Sequence, residues 1–390
     1  MKENVVRPDY NNCILNLTSS IMKHFGACSG YQSIGDIDTI LSKGYKNVVL
    51  MVFDGMGIDM LEHNLSENSF LRGNMYRQAT SVYPCTTTAA MTAYYSGLSP
   101  NEHGWLGWSL YFREYDGCID TFTNQYSFTK TSAGEKHAAF TLMPYNTVFE
   151  AIDKATNSNI SSCAIVPPGI MISAGPNLNI EANDVDHICR NIEFLCSNEG
   201  RKFIMSYWPD PDRTMHWEGC YVDEVISFME YTDERINEMC GKIDDTVVII
   251  TADHGLIDIS EEVFLNEIPE IDECLIMPPS IESRAASLFV RPEKLRIFEQ
   301  RFNDYFGDDF ILIPKEQVLK SGILGSGITH RKVPDFLGDF LACSIGNKMI
   351  RYATNNYQPR RVYRAQHAGL TRQEMLVPVI VVERHSVCCC

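Results

Sequence analysis

The chain lacks an apolar run that could cross a bilayer, since a helix needs about 20 such residues to do so. Its first residues, Met1-Lys2-Glu3-Asn4, lack the basic-then-apolar order of a secretory signal. Positive charge is scarce. With 33 Lys and Arg against 50 Asp and Glu, the net charge of −17 disfavours a non-specific binder of nucleic-acid polymer. It does not disfavour a small phosphorylated substrate, because bound metal ions can dominate the field inside a site. The 14 cysteines follow no regular spacing, so they read as reduced thiols and the cytoplasm is the expected compartment. The terminal Cys388-Cys389-Cys390 reads as a frayed tail sooner than as a metal site. The Asn-x-Ser/Thr matches at Asn16, Asn64 and Asn159 are short enough to be chance. There is no internal repeat and no low-complexity linker. No membrane or polymer partner is therefore expected, and the oligomeric state is not legible.

What is present is an alternation. At 390 residues, 45% hydrophobic and 21% charged, the chain can bury a sizeable core. Continuous apolar runs at 47–53, 161–166, 202–208, 246–251 and 376–382 read as fully buried strands. Amphipathic helices are expected at 146–155, 181–196 and 221–240. Strands alternating with helices imply an α/β fold, a mostly parallel sheet covered on both faces. The stretch 260–360 breaks the rhythm. It carries prolines 269, 278 and 279, a strand near 286–290, a charged helix at 293–306, and glycines 322, 325 and 327. We read it as a smaller inserted subdomain, with 1–259 and 361–390 forming the α/β catalytic core.

Acids, imidazoles and hydroxyls gather where the strands end. Asp54 closes the first run, and Asp253-His254 closes the fourth. Asp212 and His216 follow the third run one helical turn apart, on one helix face, whereas Asp210 points elsewhere. His367 precedes the last run. Ligand crevices form at the carboxyl ends of parallel strands, so this set points to a dinuclear metal site. Each residue also has an ordinary structural use. A strand-end Asp before glycine forms turns, and an Asp–His pair four apart can simply hydrogen-bond on a helix surface. Thr86, Thr87 and Thr88 read as hydroxyls capping a helix N-terminus, a place that also favours a phosphoryl anion. A threonine nucleophile there needs a base or metal to activate it.

The ordered series Val-Phe-Asp54-Gly-Met-Gly, Tyr-Pro-Cys-Thr-Thr87-Thr with Tyr-Ser-Gly97 and Asn-Glu-His-Gly, Pro211-Asp212-x-x-x-His216, Thr-Ala-Asp253-His254-Gly and Gln-His367-Ala-Gly-Leu resembles the alkaline phosphatase superfamily. Within it, the chain is most similar to the type I phosphodiesterase and nucleotide pyrophosphatase family, over about residues 46–382. The resemblance implies an alkaline-phosphatase-like fold and two divalent metal ions, usually zinc, with manganese as the alternative. It implies that Asp54, Asp253, His254 and the nucleophile hold one ion, and that Asp212, His216 and His367 hold the other. With the nucleophile ten residues before Gly97, as in that family, the resemblance implies Thr87, working through a phosphothreonine intermediate on a small phosphoester or nucleotide-like substrate.

Two departures qualify that picture. The family's asparagine after His-Gly is missing from His103-Gly104-Trp105-Leu106-Gly107-Trp108, which leaves the phosphoryl contact unassigned. Cys85 is not in a sulfatase Cys-x-Pro-x-Arg pattern and reads as a small buried neighbour of the nucleophile. Trp105, Trp108, Tyr111 and Phe112 are candidates for an apolar platform, with core packing as the alternative. Arg284 and His330 are candidates for reaching a substrate from the inserted region. A phosphomonoesterase or another phosphoryl-transfer enzyme, and a non-catalytic binding module, remain the competing functions.

Overall fold

The computed structural model describes residues 4–173, 179–353 and 362–385; the Cys388-Cys389-Cys390 tail lies outside them. Its main sheet has seven strands in the order Met75–Thr80, Leu376–Arg384, Thr246–Thr251, Asn47–Phe53, Arg201–Trp208, Ile160–Val166 and Asn179–Glu181. The five from Thr246–Thr251 to Asn179–Glu181 are mutually parallel. Each expected apolar run is a strand within two residues of its predicted bounds, because a strand buried on both faces needs an unbroken apolar sequence.

Register aligns the strand ends. Phe53 is opposite Trp208, and Val52 is opposite Thr251. The residues that follow these strands, Asp54, Asp212 and Asp253, therefore emerge along one edge. Leu376–Arg384 is antiparallel to its neighbour, with Val379 opposite Thr251. Its beginning, not its end, lies at that same edge, so a histidine preceding it arrives where the parallel strands finish.

Helices Ile14–His24, Thr87–Ser96 and Val148–Thr156 pack together as one group, and Ile58–Asn64, Val185–Ser197 and Asp223–Lys242 as another. Both share one apolar core with the sheet. Among the described residues no helix is long and apolar enough to cross a membrane, and all eleven described cysteines are free.

A second sheet of seven strands is antiparallel. The expected strand and helix of the inserted region appear as Ala285–Leu288 and Leu295–Phe306. The helix places Phe298, Phe302 and Phe306 on one buried stripe against Phe310 and Phe340. The sheet also takes Ser109–Phe112, Gly117–Asp120 and Gln125–Tyr126, which the sequence division had assigned to the catalytic core. These strands are two to four residues long, too short for a period-two signal. The 260–360 division thus remains a proposal about folding units, with 109–126 added to its sheet.

Buried His103 ends the short helix Pro100–His103, and its Nδ1 accepts from the Trp105 amide at 3.0 Å. Burial pushes its pKa down to about 3. The folded state thus binds this proton less well than the unfolded chain, so stability is full above the ordinary value near 6.5 and falls as pH drops toward 3. Between pH 7 and pH 5, wild-type protein should lose about 2 kcal/mol more than His103→Gln in urea titrations.

Candidate active site

The central strand delivers Asp54, whose amide donates to the Trp208 carbonyl at 2.9 Å while its carbonyl accepts from the Asp212 amide at 3.0 Å. Gly55 turns the chain at φ +74°. A Cβ there would lie 2.6 Å from Leu256 Cδ1 and 2.9 Å from Asp212 Cβ, so conformation and space both require glycine. Asp253 is fixed by the amides of Gly55 and His254, at 3.1 and 2.9 Å to Oδ1. Tyr207, which the sequence reading missed, donates its hydroxyl to Asp54 Oδ2 at 2.6 Å. As one more aromatic in a buried strand, it carried no signal of this role.

Thr87 opens the helix Thr87–Ser96. Its Oγ1 lies 3.2 Å from Asp54 Oδ2 and 3.2 Å from His254 Nε2. Three imidazoles share one arrangement. Nδ1 of His216, His254 and His367 faces the carbonyls of Ala365, Gly255 and Cys85 at 3.0, 3.2 and 3.2 Å. A proton on Nδ1 satisfies those carbonyls and leaves each Nε2 as a bare lone pair. The His254 and His367 rings stack with centroids 3.9 Å apart.

Two three-residue groups bring one ligand atom each within 4.8 Å of one another: Asp212, His216 and His367, and Asp54, Asp212 and His254. Asp212 belongs to both. Asp253, which the resemblance places on the same ion as Asp54 and His254, has its Oδ2 3.4 Å from His254 Nε2.

These residues suit divalent cations. Asp212 Oδ1 and Asp253 Oδ2 are buried without a hydrogen bond, a costly condition for carboxylate oxygens. Burial, then the charges of Asp253 and Asp212, push the Asp54 carboxyl well above the usual range. Burial likewise raises Asp253. Burial works to raise Asp212 too, but His216, His367 and His254 hold it below the usual range. An acid cluster this crowded is relieved by positive charge, and two imidazoles with one carboxylate form a usual zinc donor set. Divalent ions would be held by the Asp212, His216 and His367 set and by the Asp54, Asp253 and His254 set.

The groups open onto a cavity of about 780 Å³ lined on the core side by Thr87, Asp212, His216 and His367, and on the other by Trp108, Glu282 and Arg351. Several expected residues fall elsewhere. Trp105 and Phe112 are buried, packed on Phe140 and Phe336 respectively. Tyr111 lies edge-on to Phe289. Only Trp108 of that aromatic set lines the cavity. Arg284 is fully buried and does not face a substrate. It clamps Glu374 through two contacts of 2.7 Å and caps the Gly346 and Lys348 carbonyls. His330 packs beside Gly104, outside the cavity lining, and Asp210 pairs with Arg213. Cys85 is buried, its thiol donating to the Gly369 carbonyl at 3.0 Å. Thr86 makes no capping bond. Its hydroxyl donates to Glu282 at 2.7 Å, and burial pushes the Glu282 carboxyl up to about 7. Glu282 went unread because it sits in the irregular 260–360 stretch.

A mostly parallel sheet with these acids and imidazoles at its edge is the architecture of the alkaline phosphatase superfamily. Within it, the chain belongs to the type I phosphodiesterase / nucleotide pyrophosphatase family, whose model matches residues 48–297. Murine ectonucleotide pyrophosphatase/phosphodiesterase 5, in an inactive form in complex with AMP, is similar at 15% identity and TM-score 0.62, with 87% of each chain covered. The human counterpart aligns at 16% identity, TM-score 0.62 and the same coverage. Phosphonoacetate hydrolase from Sinorhizobium meliloti 1021, in complex with phosphonoformate, aligns at 16% identity and TM-score 0.60, covering 86% of this chain and 89% of that one. No curated protein matches the chain.

Removing one partner of a buried ion pair strands the other charge. Arg284→Met should therefore lower the unfolding free energy by about 3–5 kcal/mol in guanidinium titrations. A loss below about 1 kcal/mol, the range of exposed pairs, would show that Glu374 finds another partner.

Proposed function

We propose that the protein is a metal-dependent phosphoric ester hydrolase of the phosphodiesterase/nucleotide pyrophosphatase type, acting on small phosphoesters through Thr87. The observation that carries this reading is the position of Thr87 Oγ1, 3.2 Å from both Asp54 and His254 at a helix N-terminus. Two bound divalent ions would supply Lewis acidity and compensate the charge of an in-line displacement. Thr87 Oγ forms the bond to phosphorus as the ester oxygen leaves, its proton passing toward the acceptors beside it. The amides at the start of helix Thr87–Ser96 face the phosphoryl oxygens, as helix N-termini do with anions. Hydrolysis of the phosphothreonine then restores the hydroxyl. Tyr207 holds Asp54 in place, Asp253 takes the Gly55 amide beside it, and the three backbone carbonyls fix the imidazole tautomers.

Diesters are favoured over monoesters. A dianion needs extra positive charge for its third oxygen, yet each lysine or arginine lining the cavity already has an acid partner: Lys130 has Asp120, Arg213 has Asp210 and Arg351 has Glu262. The murine relative's complex with AMP is consistent with a nucleotide-like ligand. The free thiols support a reducing compartment, the cytoplasm, as the place of action.

Elemental analysis after metal loading should find two divalent ions per chain; fewer than one sinks the two-metal reading. With zinc at mildly alkaline pH, an aryl phosphodiester should show higher kcat/KM than the matching monoester, and Thr87→Ala should lower diester turnover by several orders of magnitude. Thr86→Ala or Thr88→Ala proving equally damaging, with fold and metals kept, would move the nucleophile. A clear monoester preference would favour a phosphatase instead.

A further inference from the structure

Glu282 stands against the start of the helix that carries Thr87. One carboxylate oxygen, Oε1, accepts from Thr86 Oγ1 at 2.7 Å and from the Trp108 amide at 2.6 Å. Among the described residues nothing hydrogen-bonds to the other oxygen, and Glu282 lines the cavity with Thr87 and His216. The three lysine and arginine side chains lining that cavity have acids of their own. Lys130 pairs with Asp120 at 2.6 Å, Arg213 with Asp210 at 2.6 Å and Arg351 with Glu262 at 2.7 Å. Among the described residues no lysine or arginine pairs with Glu282, and the charges of His216 and Asp120 act on it in opposite senses, so its second oxygen is left for whatever enters.

The placement is constructed at a cost. Ile281, a β-branched residue, is held at φ +75°, a conformation such residues rarely adopt outside functional or strained sites. Gly107 makes room for it, since a Cβ there would lie 2.8 Å from both Ile281 Cγ2 and Ile281 O. Strain, a glycine and two donors thus converge to hold one carboxylate beside the nucleophile. Trp108, whose amide is one of those donors, is in the His-Gly segment that lacks the expected asparagine.

We propose that Glu282 is a specificity-determining residue that selects a phosphodiester whose non-leaving alcohol carries a protonated amine near the phosphorus. The inference rests on the phosphoryl-hydrolase reading and adds the substrate class to it. An ammonium two carbons from the ester oxygen gives the unpaired carboxylate both a donor and a countercharge. A dianionic monoester places negative charge there instead and is repelled.

The test uses zinc-loaded Thr87→Ala protein at pH 8 and two uncleaved probes of equal size, 2-aminoethyl ethyl phosphate and propyl ethyl phosphate. Calorimetry should find the amine bound at least about tenfold tighter, the scale of one charge-assisted hydrogen bond. Adding Glu282→Gln, whose amide oxygen still accepts from Thr86 and Trp108, should bring the two affinities together. Equal binding of both probes in the Glu282 parent overturns the proposal, whether or not the glutamine variant folds. So does an amine preference that survives Glu282→Gln. If wild-type protein cleaves an aryl diester while the parent shows no preference, Glu282 alone is misassigned. Protein that binds neither probe and cleaves no phosphoester takes the hydrolase reading down as well.

Discussion

Three carboxylates that repel one another are held together at the edge of the main sheet, and much of the surrounding structure serves to keep them there. Asp54, Asp212 and Asp253 are all buried. The forces that hold them come from the backbone. Parallel register sets the height of each strand end, the Asp212 amide ties to Asp54, and the Gly55 amide ties to Asp253. Side-chain partners add Tyr207 on Asp54 and His216 on Asp212. A folded core of this size can tolerate such a cluster because its cost is small beside the apolar burial of the strands. The same repulsion makes the site receptive to cations, so what is unfavourable for folding is useful for binding.

The second requirement is direction. The reaction we propose needs Thr87 to meet phosphorus from one side while the leaving group departs from the other, and that demands a rigid mount. Thr87 has one because the helix behind it is packed into the core on the face it shares with Ile14–His24 and Val148–Thr156. The clamp of Arg284 on Glu374 works similarly for His367. Glu374 holds the Gly369 amide at 2.7 Å, and the intervening Ala368 sits at φ +88°, a strained position for a residue with a Cβ. Arg284, a candidate substrate contact by sequence, is instead half of a buried ion pair that holds the loop carrying His367.

How much could be read without coordinates follows from the length of each signal. Asn47–Phe53 and Thr246–Thr251 are unbroken apolar runs, and nothing in their composition competes with a buried strand. Their terminal acids were therefore legible as neighbours once a parallel sheet was inferred. His367 was legible only through its motif, because the antiparallel sense of Leu376–Arg384 leaves no trace in a run of apolar residues. The hairpin at 109–120 was illegible for a different reason. Its strands are short, and the first follows two tryptophans and ends in two more aromatics, so Trp105, Trp108, Tyr111 and Phe112 read as one surface although their side chains go to different places. The sharing of Asp212 between two ligand groups and the position of Glu282 depend on tertiary approach. Neither spacing nor residue type reports that.

The place of Leu376–Arg384 has a consequence for biosynthesis. This strand lies between Thr246–Thr251 and Met75–Thr80, so the early strand Met75–Thr80 joins the sheet only through a segment made some three hundred positions later. A nascent chain that has emerged through residue 251 can pair its parallel strands, but it presents Thr246–Thr251 as an open apolar edge, the kind that recruits other chains. His367 is also still unmade at that stage. Completing the sheet and completing the donor set are therefore both late events, and a chain cut short before residue 367 would have neither.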